Sequence, residues 1–334
     1  MNVAVIGFGY WGTNLVRNFN SVSDCKVKYV CDSRPERLVL AAKQFPSVIV
    51  NSDFELILND TDIEAIIIST PVYTHFDLAK KSLQKGKHVL LEKPMCSSTQ
   101  QAYELNDLAL KMKKQIMVDH TFLYTGAVQK IKQLISSGVI GNIKYFDSTR
   151  INLGLFQPDV NVLWDLAPHD ISVLNYLIDD IPYSVNATGV SHTNNNIENI
   201  AYLTINYNSG LIAHFSCSWT SPVKIRTLLI GGDKKMLVFN DLEPTEKIRI
   251  YDTGYDHKTD DEKMKVLVDY RAGDVYLPKV DSKEALFGMA NDFISCIKQN
   301  KNPISDFESG LNVIKILEAS QLSIKQNGKE IILN

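Results

Sequence analysis

Apolar positions in the first 120 residues follow two alternating patterns. Short unbroken runs at 3–6, 27–31, 48–50, 65–69, 88–91 and 116–119 suit parallel strands buried on both faces. Between them, Trp11, Leu15, Val16 and Phe19 recur at helical spacing. Helices are predicted over 35–44, 76–84 and 99–113, and a helical turn over 54–58. Strand and helix in alternation predict an α/β layer, a doubly wound parallel sheet with helices on both faces.

Beyond residue 120 the pattern changes. Ala127, Val128, Ile131, Leu134 and Ile135 stripe a helix that ends before Gly138. Strand-like stretches follow at 143–152, 183–191, 200–207, 211–219, 226–230 and 236–239, with Asn208-Ser209-Gly210 as a hairpin turn. Successive strands with few helices between them predict an α+β domain on a large, mostly antiparallel open sheet. The polar stretch 241–281 predicts no clear element. Leu286, Ala290, Phe293 and Ile297 stripe one closing helix; Leu311, Ile314 and Leu317 stripe a second. The expected division is therefore 1–121 and 122–334.

Length agrees with two domains: the chain has 334 residues, and single cores rarely grow past roughly 250–300. The net charge of -3 gives no electrostatic reason to bind nucleic acid or an anionic membrane. The five cysteines, Cys25, Cys31, Cys96, Cys217 and Cys296, are odd in number and contain no CxxC pair. That pattern predicts reduced thiols in the cytoplasm, with neither a disulfide framework nor a zinc site. The segment from Met1 to Gly7 lacks the basic region of a signal peptide. The apolar run at 65–68 is far shorter than the ~20 residues of a membrane span.

Candidate chemistry lies at the ends of the predicted strands. Gly7-Phe8-Gly9-Tyr10-Trp11-Gly12 is a GxGxxG between a strand and a helix. Its glycines allow a tight turn, close approach of a pyrophosphate and close helix–strand packing, and the helix amino end favours phosphate. Asp32 follows Gly12 by 20 residues at the end of the second strand, where a carboxylate can accept from ribose hydroxyls. It favours NAD; Arg34 leaves NADP as the alternative, since an arginine there could receive a 2′-phosphate. Ser69-Thr70-Pro71 and Glu92-Lys93-Pro94 end two further strands, at the edge where open α/β sheets bind ligands. Lys93 could equally be a surface lysine past a strand. In Trp164-Asp165-Leu166-Ala167-Pro168-His169, a helix would place Asp165 and His169 on one face. Pro168 puts the predicted helix start at or next to Asp165, with His169 in the first turn, where the dipole helps keep the imidazole neutral for general-base work. The alternative is a capping Asp165 and a structural His169. A metal reading of this pair lacks a clear third ligand, so no metal is expected.

Together, GFGYWG at 7–12, Asp32, STP at 69–71, EKP at 92–94 and DxxxH at 165–169 resemble the glucose–fructose oxidoreductase / inositol dehydrogenase / rhizopine catabolism (Gfo/Idh/MocA) family over nearly the whole chain. The resemblance implies an N-terminal Rossmann domain, a C-terminal α/β domain on an open sheet, and NAD(P)-dependent chemistry on a sugar or cyclitol hydroxyl. It implies Lys93 at both nicotinamide ribose and substrate, His169 as acid/base and Asp165 as an orienting carboxylate. The chain departs from many members in having Asn161-Val162-Leu163-Trp164 where they carry glycines. Trp164 to His169, with Ser218-Trp219-Thr220-Ser221-Pro222 and Lys224-Ile225-Arg226, is similar to the branch that oxidises C3 of UDP-linked N-acetylhexosamines or their uronic acids for surface polysaccharides.

The expected cofactor contacts are Gly7, Phe8, Gly9, Tyr10, Trp11, Gly12, Asp32, Ser33, Arg34, Ser69, Thr70, Pro71, His75, Glu92 and Lys93. The expected substrate contacts are Lys93, Arg150, Trp164, Asp165 and His169; Lys224 and Arg226 are further candidates for a UDP site. A dehydrogenase of a free sugar or inositol, a ketosugar reductase and a non-catalytic NAD-binding sensor are the competing readings. A homo-oligomer, dimer or tetramer, is expected from the open sheet's exposed apolar face and from the resemblance.

Overall fold

Five short strands and five helices alternate before a sixth strand closes the first sheet. The computed structural model describes residues 1–154, 156–194, 196–256, 269–271 and 273–333. The opening elements are β1 (Asn2–Ile6), α1 (Tyr10–Ser21), β2 (Lys26–Cys31), α2 (Pro35–Gln44), β3 (Ile49–Asn51), α3 (Phe54–Asn59), β4 (Ile63–Ile68), α4 (Val72–Gln84), β5 (His88–Glu92), α5 (Thr99–Met112) and β6 (Ile116–Asp119). All six strands are parallel, in the order β3-β2-β1-β4-β5-β6. The apolar runs are buried on both faces, as a sheet covered by helices requires. Helix α4 begins four residues earlier than its apolar stripe suggests, directly after Pro71.

Later elements are α6 (Gly126–Ser136), β7 (Ile143–Leu153), α7 (Val162–Leu177), β8 (Pro182–Val190), β9 (Ile200–Tyr207), β10 (Ile212–Ser218), β11 (Thr220–Gly232), β12 (Met236–Asn240) and β13 (Ile248–Tyr251). They are followed by β14 (Gly254–Asp256), β15 (Asp269–Arg271), β16 (Val275–Tyr276), α8 (Ala285–Gln299), α9 (Phe307–Lys325) and β17 (Ile331–Ile332). Among the described residues, nine strands form one sheet in the order β16-β13-β12-β11-β7-β10-β9-β8-β17, antiparallel except for β7 with β10. Gly210, at φ 87°, makes the hairpin between β9 and β10. Part of the 241–281 stretch, 257–268 and 272, lies outside the described residues; the rest contributes β13 to β16.

Two compact units result, Met1–Thr125 with Lys283–Glu318, and Gly126–Ser282 with Ala319–Asn334. The sequence predicts a division into 1–121 and 122–334; these units divide after Thr125, at Lys283 and at Ala319. Helix α8 belongs with the first sheet because its apolar stripe has a partner there. Leu286, Met289, Ala290 and Phe293 are buried against Leu15, Val16 and Phe19 of α1, with Phe19 and Phe293 edge to face at 6.1 Å. Arg17 clamps the Glu284 carboxylate at 2.9 and 2.5 Å.

In the second unit one face of the sheet is inward. Ala201, Leu203 and Ile205 of β9 and Ala213 and Phe215 of β10 alternate into it, as period-2 side-chain placement dictates. Helix α7 covers this face with Leu163, Ala167, Ile171 and Leu174. The face is not wholly apolar. Phe146, Ser148 and Arg150 are i, i+2 and i+4 on β7 and all point inward.

Candidate active site

Between β1 and β4 the strand order reverses, and the turns after these strands meet. Gly7, at φ 93°, closes this turn; a Cβ there would lie 2.6 Å from the Ser69 carbonyl oxygen. A Cβ on Gly12 would lie 2.0 Å from the Gly7 oxygen. Ser69 Oγ donates to the Gly7 carbonyl at 2.8 Å, tying the two strand ends together. Gly9 differs: nothing lies within 4 Å of a Cβ built on it, and it caps α1 without a side-chain hydrogen bond. Open space beside a glycine at a helix amino end fits a pyrophosphate.

Asp32 lies at the carboxyl end of β2 and is buried. Its Oδ2 accepts from Phe8 N at 2.8 Å, and Arg34 grips both its oxygens through Nε and Nη2 at 3.0 Å each. Burial pushes this carboxyl up, but the hydrogen bonds from Arg34 and the two backbone N–H groups outweigh it and hold it below its ordinary value. Arg34 is thus turned onto Asp32, although half of its side chain stays in solvent. Tyr10, Trp11, Ser33 and Pro71 are exposed around this edge, and Thr70, partly buried, bonds Thr74 at 2.6 Å. Two expected contacts have their side chains turned into the protein. The Phe8 ring is fully buried in the core against Phe45, so only its backbone can face a ligand. His75 is 1% exposed, with Nδ1 3.0 Å from the Pro94 oxygen and Nε2 2.8 Å from the Thr70 oxygen. It braces the turns after β4 and β5, and burial lowers its pKa despite those bonds.

At the carboxyl end of β5, Lys93 is partly exposed and joined to Pro94 by a cis peptide bond, while Glu92 is buried. Glu92 Oε2 accepts from Lys93 N at 3.0 Å. Its register partner on β6 is Asp119, also buried, which accepts from Thr121 Oγ1. His120 follows, 1% exposed, with its pKa lowered by burial and by Lys93 to about 3. Asp119 and His120 went unread in the sequence. A carboxylate at the carboxyl end of a buried strand, level with Glu92, was the available signal.

In the second unit, Asn161 caps α7 by accepting from Trp164 N at 3.1 Å. The helix therefore starts earlier than expected. Pro168 sits inside it, Asp165 lies in the first turn and His169 in the second, which weakens the dipole argument for His169. Trp164, Asp165, Leu166 and His169 are the partly exposed part of the otherwise buried stretch 161–174. Trp219, 1% exposed, donates its Nε1 hydrogen to Asp165 Oδ2 at 3.0 Å. Phe156 leans on the indole at 5.6 Å. Trp164 is partly exposed on the same turn as Asp165.

Arg150 is corrected as a substrate contact. It is 3% exposed and forks onto Asp170 with Nε at 2.8 Å and Nη2 at 2.6 Å, while Ser148 Oγ donates to the same carboxylate at 2.8 Å. Its fork is spent holding α7 to β7. Lys224 is exposed on β11, and Arg226 faces Asp241 at 3.4 Å. Among the described residues, no group of three or more His, Cys, Asp or Glu could hold a metal ion, and no helix is long and apolar enough to cross a membrane.

Comparisons with known proteins agree with this fold. The family model for an oxidoreductase family with an NAD-binding Rossmann fold matches residues 1–120, and that for a GFO/IDH/MocA C-terminal domain matches 128–238. The uncharacterized oxidoreductase YdgJ of Escherichia coli is 33% identical over 51% of this chain and 51% of its own. The UDP-N-acetylglucosamine 3-dehydrogenase of Acidithiobacillus ferrooxidans is 28% identical over 65% of this chain and 67% of its own. Its solved structure superimposes with TM-score 0.78 over 98% of each chain at 23% identity. A levoglucosan dehydrogenase in complex with NADH gives TM-score 0.85 at 20% identity, over 100% of this chain and 99% of its own. At such identities the superpositions show the fold. The chain spans about half the length of the first curated relatives that it matches.

Proposed function

Because the chain belongs to the GFO/IDH/MocA oxidoreductase family, we propose that it moves a hydride between NAD and a sugar carbinol or ketone carbon, C3 of a UDP-linked N-acetylhexosamine or its uronic acid. The observation that carries this reading is the partly exposed pair Asp165 and His169, one turn apart on α7, with Asp165 held by Trp219. The 28% identical UDP-N-acetylglucosamine 3-dehydrogenase supports the nucleotide-sugar substrate.

Bound NAD supplies the hydride acceptor or donor. The Gly7–Gly12 turn and the α1 amino end would hold its pyrophosphate, and Asp32 would accept from the adenosine ribose. The family resemblance would make His169 the acceptor of the substrate's hydroxyl proton, Lys93 a group that offsets charge on the substrate, and Asp165 the carboxylate that positions the substrate or His169. The grip of Arg34 on Asp32 favours NAD: a 2′-phosphate would need that pair to open.

A second reading, an uncharged free sugar, is favoured by the commitment of Arg150 to Asp170, which removes one cation from a diphosphate site. Screening UDP-sugars against free sugars, inositols and levoglucosan by NADH absorbance decides it. Turnover confined to UDP-N-acetylhexosamines or uronates is the expected result. Turnover confined to free sugars selects the second reading, and NADH binding without turnover on any of them makes the chain a sensor. The five free cysteines fit the reducing cytoplasm. Tyr202, Ile212 and Leu229, exposed on the second unit's sheet, support a homo-oligomer; light scattering at the 37.6 kDa monomer mass sinks that part.

A further inference from the structure

Glu92 and Asp119 are register partners at the carboxyl ends of neighbouring parallel strands, so their side chains leave the sheet on the same face. Both are buried, at 8% and 2% exposure. Of their four oxygens, Glu92 Oε2 takes the Lys93 N–H and Asp119 Oδ1 takes the Thr121 hydroxyl. Asp119 Oδ2 is buried and has no donor among the described residues. Two ionised carboxylates accept only, and a buried acceptor left unmatched bears its full desolvation cost.

We infer that the pair holds one proton, carried on Glu92 and donated to Asp119 Oδ2, and that the single remaining negative charge is the buried counter-charge of Lys93. The proton supplies the missing donor and removes the like-charge repulsion of two adjoining carboxylates. Burial and the Asp119 charge push Glu92 well above the usual carboxylate range, and burial pushes Asp119 up as well. The charge of Lys93 acts on both acids, and His120 follows Asp119 in the chain. His120 does not supply a cation: it is buried, neither ring nitrogen has a partner among the described residues, and burial drives its pKa down to about 3.

The counter-charge role rests on the proposed function; the proton count does not, and it is read without substrate. Infrared spectra of wild type at neutral pH should show the carbonyl stretch of a neutral carboxylic acid, and Glu92→Gln should lose it. A wild type without that band, or a band that survives Glu92→Gln, overturns the assignment. If Glu92→Gln does not fold, wild type labelled with [δ-13C]glutamate answers alone: one neutral glutamic acid at pH 7 is expected, and its absence overturns the proton count. Asp119→Asn should then lower turnover by ~10²-fold, the scale of a lost electrostatic contact in a site. Wild-type turnover in Asp119→Asn overturns the counter-charge. A wild type that turns over no sugar removes the proposed function and leaves the infrared result standing.

Discussion

The two units carry their chemistry in opposite ways. In the first, functional groups stand on turns that end parallel strands, and backbone geometry positions them. Gly7 must take φ 93°, Gly12 must lack a Cβ, and Ser69 bonds the neighbouring turn. In the second, Asp165 and His169 stand on a helix laid over a sheet, and buried side-chain pairs position them. Arg150 and Ser148 of β7 hold Asp170, and Trp219 holds Asp165. A site made by backbone is insensitive to the chemistry of its neighbours and intolerant of added atoms. A site made by side-chain pairs tolerates changes of volume and fails when one partner of a pair is lost.

The largest expected effect tests whether the two sets of residues serve one reaction. His169→Ala should lower turnover by ~10²–10⁴-fold, the usual worth of a positioned acid/base, and leave NADH binding intact. Lys93→Met should cost at least as much, because charge stabilisation is lost with it. Asp165→Asn should fall between wild type and these. Stopped-flow NADH traces across pH check the roles: the limb of kcat/KM near neutrality should vanish in His169→Ala. A limb that persists there and disappears in Lys93→Met makes lysine the base.

Stability separates the two designs next. Arg150→Met strands a buried carboxylate and should cost ~3–5 kcal/mol in urea unfolding, whereas Arg150→Met with Asp170→Leu should recover most of it. Gly12→Ala drives a Cβ to 2.0 Å from the Gly7 oxygen and should cost ~1–3 kcal/mol, the range for overpacking. Gly9→Ala meets nothing within 4 Å and should stay within ~0.5 kcal/mol of wild type while weakening NADH binding. An equal stability loss for Gly9→Ala and Gly12→Ala would break the distinction between a packing glycine and a ligand-facing one.

The same contrast explains what the sequence shows. Strand and helix positions in the first unit are legible because each is a local pattern: an apolar run, a glycine turn, a stripe. The β9–β10 hairpin is legible for the same reason. What escapes reading is tertiary. The stripe of α8 says that it must be buried, but not against α1. Arg150 reads as an anion contact because nothing local announces Asp170, which lies on another element. The start of α7 is misplaced because Pro168 reads as a first-turn proline, while the cap at Asn161 supports a helix long enough to hold it inside.

The smallest effect concerns the buried histidine at the end of β6. His120 has a folded pKa of about 3 against an ordinary 6.5. Between those values the unfolded chain binds a proton there that the folded chain refuses. His120 therefore costs nothing above about pH 6.5 and destabilises progressively as pH falls, by up to ~1.4 kcal/mol per pH unit. His120→Leu removes this titration together with two unpartnered buried nitrogens. The variant should match or exceed wild type at pH 7 and lose less stability between pH 6.5 and 5. His75 and His88, whose pKa values burial also lowers, contribute slopes of the same sign to both proteins and cancel in the difference. Glu92 works in the opposite sense. Its folded pKa is raised, so its contribution is full below the unfolded value and is lost as pH rises toward the folded one; Glu92→Gln should steepen the acid loss. Urea midpoints at pH 5 and pH 7 for the three proteins read both signs. Parallel shifts in all three would mean that neither group titrates as buried, and the charge arrangement at the ends of β5 and β6 would have to be redrawn.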